Sequence, residues 1–186
     1  MKWSIIVTLA IVVLVALIAL FNAPVNTPAT TTMKLTSIAF EAGGKIPPQY
    51  TCDGDNKMMP LSFDGVPAEA KSLALTIDDP DVPKDRVPSG VFDHLVVFNI
   101  PPKTEGVKET DTTVPGTYGN NGAGQPAYAG PCPPDREHRY FFRLYALDTQ
   151  LALKKGATKE ELLADMEGHV IAKAELMGTY ERQQKE

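Results

Sequence analysis

Gly130-Pro-Cys-Pro-Pro-Asp-Arg-Glu-His-Arg-Tyr-Phe-Phe-Arg-Leu-Tyr-Ala-Leu-Asp148 changes character halfway along its length. Pro131, Pro133 and Pro134 cannot supply the N–H groups that a helix or a ladder needs, so the first part is a turn-rich loop. The second part reads as a strand. Every second residue gives His138, Tyr140, Phe142, Leu144 and Ala146 on one face, and Arg139, Phe141, Arg143, Tyr145 and Leu147 on the other. The first set is apolar after its opening histidine and is expected to face the core. His138 then stands where a buried face meets a rigid loop, a place suited to a binding site.

Working outward, Ser72–Asp79 repeats the pattern in reverse. Leu73, Leu75, Ile77 and Asp79 share a face, and Pro80 stops the strand. His94–Ile100 is a third such segment, with His94, Val96, Phe98 and Ile100 on one face by strict alternation. If Ser72–Asp79 runs antiparallel to the other two, then Asp79, His94 and His138 gather at one end of the sheet. Leu35–Phe40 and Pro60–Phe63 are expected as shorter strands, with Met58 and Met59 in a loop or at a rim. Lys103–Ala129 is long, polar and glycine-rich, the kind of loop that is usually functional or mobile. Thr158 with Glu161 forms a capping-box signature for a helix carrying Leu162, Leu163 and Met166 on its buried stripe. His169–Met177 fits a final strand or a short helix.

The start of the chain is different. Ile5–Phe21 is apolar apart from Thr8, near the lower end of the about 17–25 residues that span a bilayer. No convincing small-residue cleavage pair follows, so residues 1–23 are expected to be an uncleaved membrane anchor, with a cleaved signal and secretion as the alternative. Lys2 lies before the run, and Lys34 is the first positive charge beyond it. That bias orients the body outside the cytoplasm, periplasmic or extracellular. Residues 24–32, rich in Thr and Pro, read as a linker, and 33–186 as one domain with one core. The net charge is −5 with scattered basic residues, which leaves no footprint for nucleic acid. Cys52 and Cys132 lack the neighbours that zinc needs. In an exported chain they are candidates for a disulfide joining two loops, with two separate buried thiols as the alternative.

These motifs resemble the phosphatidylethanolamine-binding proteins, and within them the bacterial branch often labelled Raf kinase inhibitor-like. The resemblance is carried by Asp79-Pro-Asp-Val-Pro83, by His94 with Asn99-Ile-Pro101, and by Gly130-Pro131 leading to His138-Arg139-Tyr140. Tyr50-Thr-Cys-Asp-Gly54, Ser72-Leu-Ala-Leu75, Glu167-Gly-His-Val170 and Gly178-Thr-Tyr-Glu-Arg182 support it. It implies a mostly β fold, with a large antiparallel sheet packed on a smaller one in a Greek-key arrangement and a peripheral C-terminal helix. It also implies an anion pocket for phosphate, a phosphorylated small molecule or a phospholipid headgroup, made by Asp79, His94, Gly130, Pro131, His138 and Tyr140. Imidazole N–H groups and a phenol hydroxyl can donate to phosphate oxygens, and backbone N–H groups near Gly130 can add a nest. Asp79 would orient a histidine or meet the amine of the ligand. Asp81 and Arg139 are expected to pair behind the pocket and pin two loops together. The chain departs from the family pattern at Arg136, where glycine is usual, at Leu95, where tryptophan is common, and at Met58-Met59-Pro60, where Ser-Pro-Pro is typical.

The functional expectation is a tethered, exported binding domain, not an enzyme, that needs no cofactor. A protein partner open to inhibition, a kinase or a protease, is left unidentified. A hydrolase using the His/Asp pocket is the alternative, as is a protease inhibitor acting through residues 103–129. For the hydrolase, Ser89 lacks a nucleophile-elbow context and Cys132 lies between prolines. Asp79, His94 and His138 could also hold a divalent metal, but the proline-locked loops match the anion pocket instead.

Overall fold

The structure is a computed structural model and describes residues 32–111 and 113–182. The anchor expected over residues 1–23, its apolar run Ile5–Phe21 and the linker 24–32 (save its last residue) lie outside these. Among the described residues no helix is long and apolar enough to cross a membrane.

Eight strands form two antiparallel sheets, as expected. The smaller sheet has the order β1 (Lys34–Thr36), β2 (Leu61–Asp64), β5 (Gly106–Val107). The larger has the order β6 (Thr117–Tyr118), β4 (Phe92–Ile100), β3 (Ser72–Asp79), β7 (His138–Leu147), β8 (Val170–Tyr180). One face of the large sheet packs on the small one through Leu73, Leu75, Ile77, Phe142 and Leu144 against Leu35, Leu61, Phe63 and Val107. The other face, with Ala74, Val96, Phe98, Tyr145 and Leu147, is covered by Leu151, Ala157, Leu162 and Met166. Leu162 and Met166 belong to α1 (Lys159–Asp165) and its C-cap. Its N-cap Thr158 accepts from the Glu161 amide while the Glu161 side chain returns to the Thr158 amide. Two covered faces explain why every residue of β3 is buried.

Several local expectations need correction. The first strand ends at Thr36 rather than Phe40, because Ser37 Oγ donates to the Pro60 carbonyl (2.6 Å) and accepts the Ala39 amide (3.1 Å), drawing the backbone into a turn. Met58 and Met59 are core residues, not rim. Lys103–Ala129 is not one loose loop. It holds β5 and β6, and Asn121 folds its tip by accepting from Ala123 and Gln125 and donating to the Ala127 carbonyl. His169–Met177 resolves as strand, since β8 pairs with β7 from Val170 to Tyr180.

The alternation along β4 also fails, and the failure matters for the site. Its register against β3 slips twice: Ile77 faces Leu95 but Asp78 faces Asp93, and Leu75 faces Val97 but Leu73 faces Ile100. Each slip inserts one residue, a β-bulge. At the second, Asn99 takes φ 53 and clamps Leu151 through two hydrogen bonds of 2.9 Å. Val96 and Phe98 therefore face α1, whereas Leu95, Val97 and Ile100 face the small sheet. The first bulge brings the His94 ring against Tyr140, with centroids 5.2 Å apart.

Candidate functional site

β3 runs antiparallel to both β4 and β7, so its last residue, Asp79, sits at the end where those strands begin. Asp79 is buried, and both of its oxygens are used. Oδ1 accepts the Asp81 amide at 2.8 Å, bending the chain at Pro80, and Oδ2 lies 2.6 Å from His138 Nδ1. The other ring nitrogen of His138, Nε2, is 2.8 Å from Asp135 Oδ1. Two carboxylates thus grip one fully buried imidazole, and each contact needs its own hydrogen, carried by the ring nitrogen or by the carboxyl.

His94 is held differently. Its Nδ1 donates to the Ala129 carbonyl at 2.6 Å, and its ring lies edge-on to Phe92 and Tyr140. Burial is the largest influence and pushes the imidazole below its ordinary pKa, outweighing the Ala129 carbonyl and Asp79. A neutral ring with its proton on Nδ1 has a bare Nε2. It offers a ligand an acceptor, not the N–H donor expected. Burial also raises the Tyr140 hydroxyl, with Asp79 adding to the effect. Tyr140 Oη, near the Cys132 amide, makes no hydrogen bond of normal geometry, unlike every other buried side-chain polar atom among the described residues.

The loop after β6 is stapled to the turn at 50–56. Cys52 and Cys132, both exposed, are joined in a disulfide with Cα atoms 5.4 Å apart. The Cys52 amide donates to the Pro131 carbonyl (3.1 Å), and the Gly130 amide to Asn56 Oδ1 (2.8 Å). That second bond takes up the Gly130 donor expected for an anion nest. A Cβ on Gly130 would meet Asn56 Oδ1 at 2.4 Å and the Tyr50 carbonyl at 2.8 Å, so only glycine fits under this turn. Asp53 ties the turn to the end of β8 by accepting from Tyr180 Oη at 2.8 Å and from Arg182.

Asp81 pairs with Arg139. Its carboxylate accepts from Nε (2.8 Å), a terminal nitrogen (2.7 Å) and the Arg139 amide (3.0 Å). The guanidinium holds the Asp81 carboxyl at about 2, against burial, which acts the other way. On the α1 face of the same strand ends, Asp78 pairs with Arg143, and Lys159 of α1 pairs with Asp93. Burial raises the Asp93 carboxyl despite that lysine.

Beside these groups opens a cavity of about 420 Å³, walled by Asp79, His94, Gly130, Asn56 and Arg86, with Phe92, Val82, Val87 and Pro134 as its apolar lining and Cys52 and Cys132 alongside. Of the six expected pocket residues, Asp79, His94 and Gly130 reach the wall; Pro131, His138 and Tyr140 lie behind it. Asn56 and Arg86 were not anticipated. Asn56 had a weak signal, since Asn tolerates the positive φ of 55 that this turn requires. Arg86 had none. Its side chain makes no hydrogen bond or ion pair among the described residues, and it is the only Lys or Arg on the wall. Among the described residues no group of three or more His, Cys, Asp or Glu is placed to hold a metal ion.

Known proteins share this architecture. A UPF0098 protein of Methanothermobacter thermautotrophicus is 52% identical over 158 residues, covering 81% of this chain and 99% of its own. A UPF0098 protein of Chlamydia muridarum is 49% identical over 150 residues, with coverage of 81% and 99%. The crystal structure of a phosphatidylethanolamine-binding-protein homologue from Chlamydia trachomatis has a TM-score of 0.79 at 48% identity, covering 82% of this chain and 99% of that one. E. coli YBCL, described as a new member of the mammalian PEBP family, has a TM-score of 0.71 at 26% identity, covering 81% and 99%. Residues 36–181 match the family described as phosphatidylethanolamine-binding protein, to which the chain belongs.

Proposed function

We infer that the domain is a binding module for a phosphorylated ligand, and that a zwitterionic phosphoamine such as the phosphoethanolamine headgroup suits it best. The observation that carries this is the composition of the cavity wall. Arg86, a cation with no side-chain partner among the described residues, is there for the phosphate, while the Asp79 carboxylate and the bare Nε2 of His94 offer acceptors for an ammonium group. A simple anion would meet Arg86 favourably and Asp79 unfavourably; a zwitterion satisfies both. Two of the segments bearing the wall, those with Cys52 and Cys132, are cross-linked, so these lose little loop entropy on binding.

A binding role also agrees with the candidate nucleophiles. Ser89 Oγ is tied into its own turn by the Val91 carbonyl and amide, and Cys132 is in the disulfide. We place the chain in the Raf kinase inhibitor-like branch on its motifs, and inhibition of a partner protein follows from that placement as a role to be tested. Tethering through Ile5–Phe21 with the domain exported is the reading that the apolar run and an exposed disulfide support together. Calorimetry with O-phosphoethanolamine, inorganic phosphate and ethanolamine tests the ligand class. The phosphoamine should bind more tightly than either half, and Arg86→Ala should weaken it about tenfold or more. Equal binding of phosphate and phosphoethanolamine would remove the zwitterion reading.

A further inference from the structure

Asp135 is what stands on the outer side of His138. The imidazole is wholly buried, yet the Asp135 side chain that holds its Nε2 is 44% exposed. Asp135 Oδ2 takes Arg136 Nη1 at 2.8 Å, and Arg136 Nη2 reaches the Asp81 carbonyl at 3.3 Å. Pro134 of the same turn lines the cavity, whereas His138 and Tyr140 do not. A carboxylate from the chain's own loop therefore occupies Nε2 of a histidine that lies behind the cavity wall, bonded through its other nitrogen to the wall residue Asp79. A second buried donor, the Tyr140 hydroxyl, is unused among the described residues.

We propose that Asp135 is an internal anion that competes with the phosphate of the ligand for His138 Nε2, and so sets the affinity and selectivity of the site. This rests on the phosphate-binding reading above. A phosphate arriving while Asp135 stayed in place would meet two carboxylates, Asp79 and Asp135, sharing one imidazole. Like charges so close oppose it, and exchange relieves the conflict. The displaced carboxylate has somewhere to go, because Arg136 sits on the same exposed turn and already holds its other oxygen. Exchange also discriminates. A tethered carboxylate acts at an effective concentration on the order of millimolar or more, so a free monocarboxylate gains nothing by replacing it. A phosphate of higher charge, with more acceptor oxygens, does gain. Arg136, the position where this chain departs from the family's glycine, thereby acquires a part in the device.

The test is calorimetric titration of inorganic phosphate, O-phosphoethanolamine and acetate into wild type, Asp135→Asn and Asp135→Ala. Phosphate affinity should rise about tenfold or more in Asp135→Ala, and less in Asp135→Asn, which keeps an acceptor but loses the charge. Acetate should bind Asp135→Ala and compete with phosphate there, but not in wild type. Phosphate should also shift the His138 ring nitrogen resonances in Asp135→Ala. Phosphate binding that emerges only in Asp135→Ala supports the proposal in its strongest form. Unchanged or weaker phosphate binding in Asp135→Ala, with wild-type binding intact, overturns the role of Asp135 and leaves the pocket standing. A gain in affinity with the His138 resonances unmoved overturns it too. No binding in any of the three proteins overturns both the proposal and the reading beneath it.

Discussion

Cutting the Cys52–Cys132 cross-link should lower stability by an amount that the structure lets one work out. The bridged residues are 80 apart in sequence. In the chain-entropy treatment, closing a loop of that length removes unfolded-state freedom equivalent to about 4.5 kcal/mol at 25 °C. For a domain of this size each kcal/mol moves the melting temperature by about 2–4 °C, so Cys52→Ser with Cys132→Ser should melt about 9–18 °C lower. Both side chains are exposed, so the substitution removes little packing and the shift isolates the cross-link. The fold itself should survive, because the Cys52 amide still meets Pro131, the Gly130 amide still meets Asn56, and Asp53 still holds Tyr180. Thermal melts of the double variant, and of wild type with and without reductant, provide the assay. A drop below about 2 °C in both comparisons would refute the reasoning, as would two titratable thiols in protein purified without reductant.

Three further expectations concern the domain as built. Asp81→Asn should cost about 1 kcal/mol near neutral pH, a figure already discounted for the solvent around Arg139. Because the folded Asp81 carboxyl is held down to about 2, its contribution is present above the ordinary carboxylate range and is lost as pH falls through about 2; urea melts from pH 5 downward should show wild type and variant converging. Burial lowers the His94 pKa, so below about 6.5 the unfolded chain takes up a proton that the folded one refuses, and stability falls with acidification. That component should vanish in His94→Phe when melts at pH 7.5 and 5 are compared, and an unchanged slope would show that His94 is not buried neutral. Leu162→Ala, at the centre of the α1 contact, should lose about 2–5 kcal/mol in urea unfolding.

The fold was legible wherever a strand keeps its period. Ser72–Asp79 and the strand from His138 follow from alternation and proline stops alone, and the Thr158–Glu161 box marks the helix start. β4 shows the limit. His94 does join Asp79 and Tyr140, but through a bulge that alternation cannot reveal, because an inserted residue leaves no mark in a buried apolar run. The site was legible at its buried centre and not at its rim. Asp79 and His138 stand out as polar groups closing apolar faces. Arg86 and Asp135 sit in polar loops where one charge resembles another, and only tertiary placement singles them out. The same holds for the state of His94: a sequence shows an imidazole near pocket motifs, whereas its neutral form comes from burial and from the Ala129 carbonyl. His94 therefore cannot serve an anion as a charged donor at neutral pH.

The crystal structure of the protein soaked with O-phosphoethanolamine tests the central claim most directly. The cavity walled by Asp79, His94 and Arg86 should hold the ligand, with its phosphate toward Arg86 and its ammonium toward Asp79 and His94 Nε2. Clear ligand density at another surface, with this cavity holding only water, would contradict it.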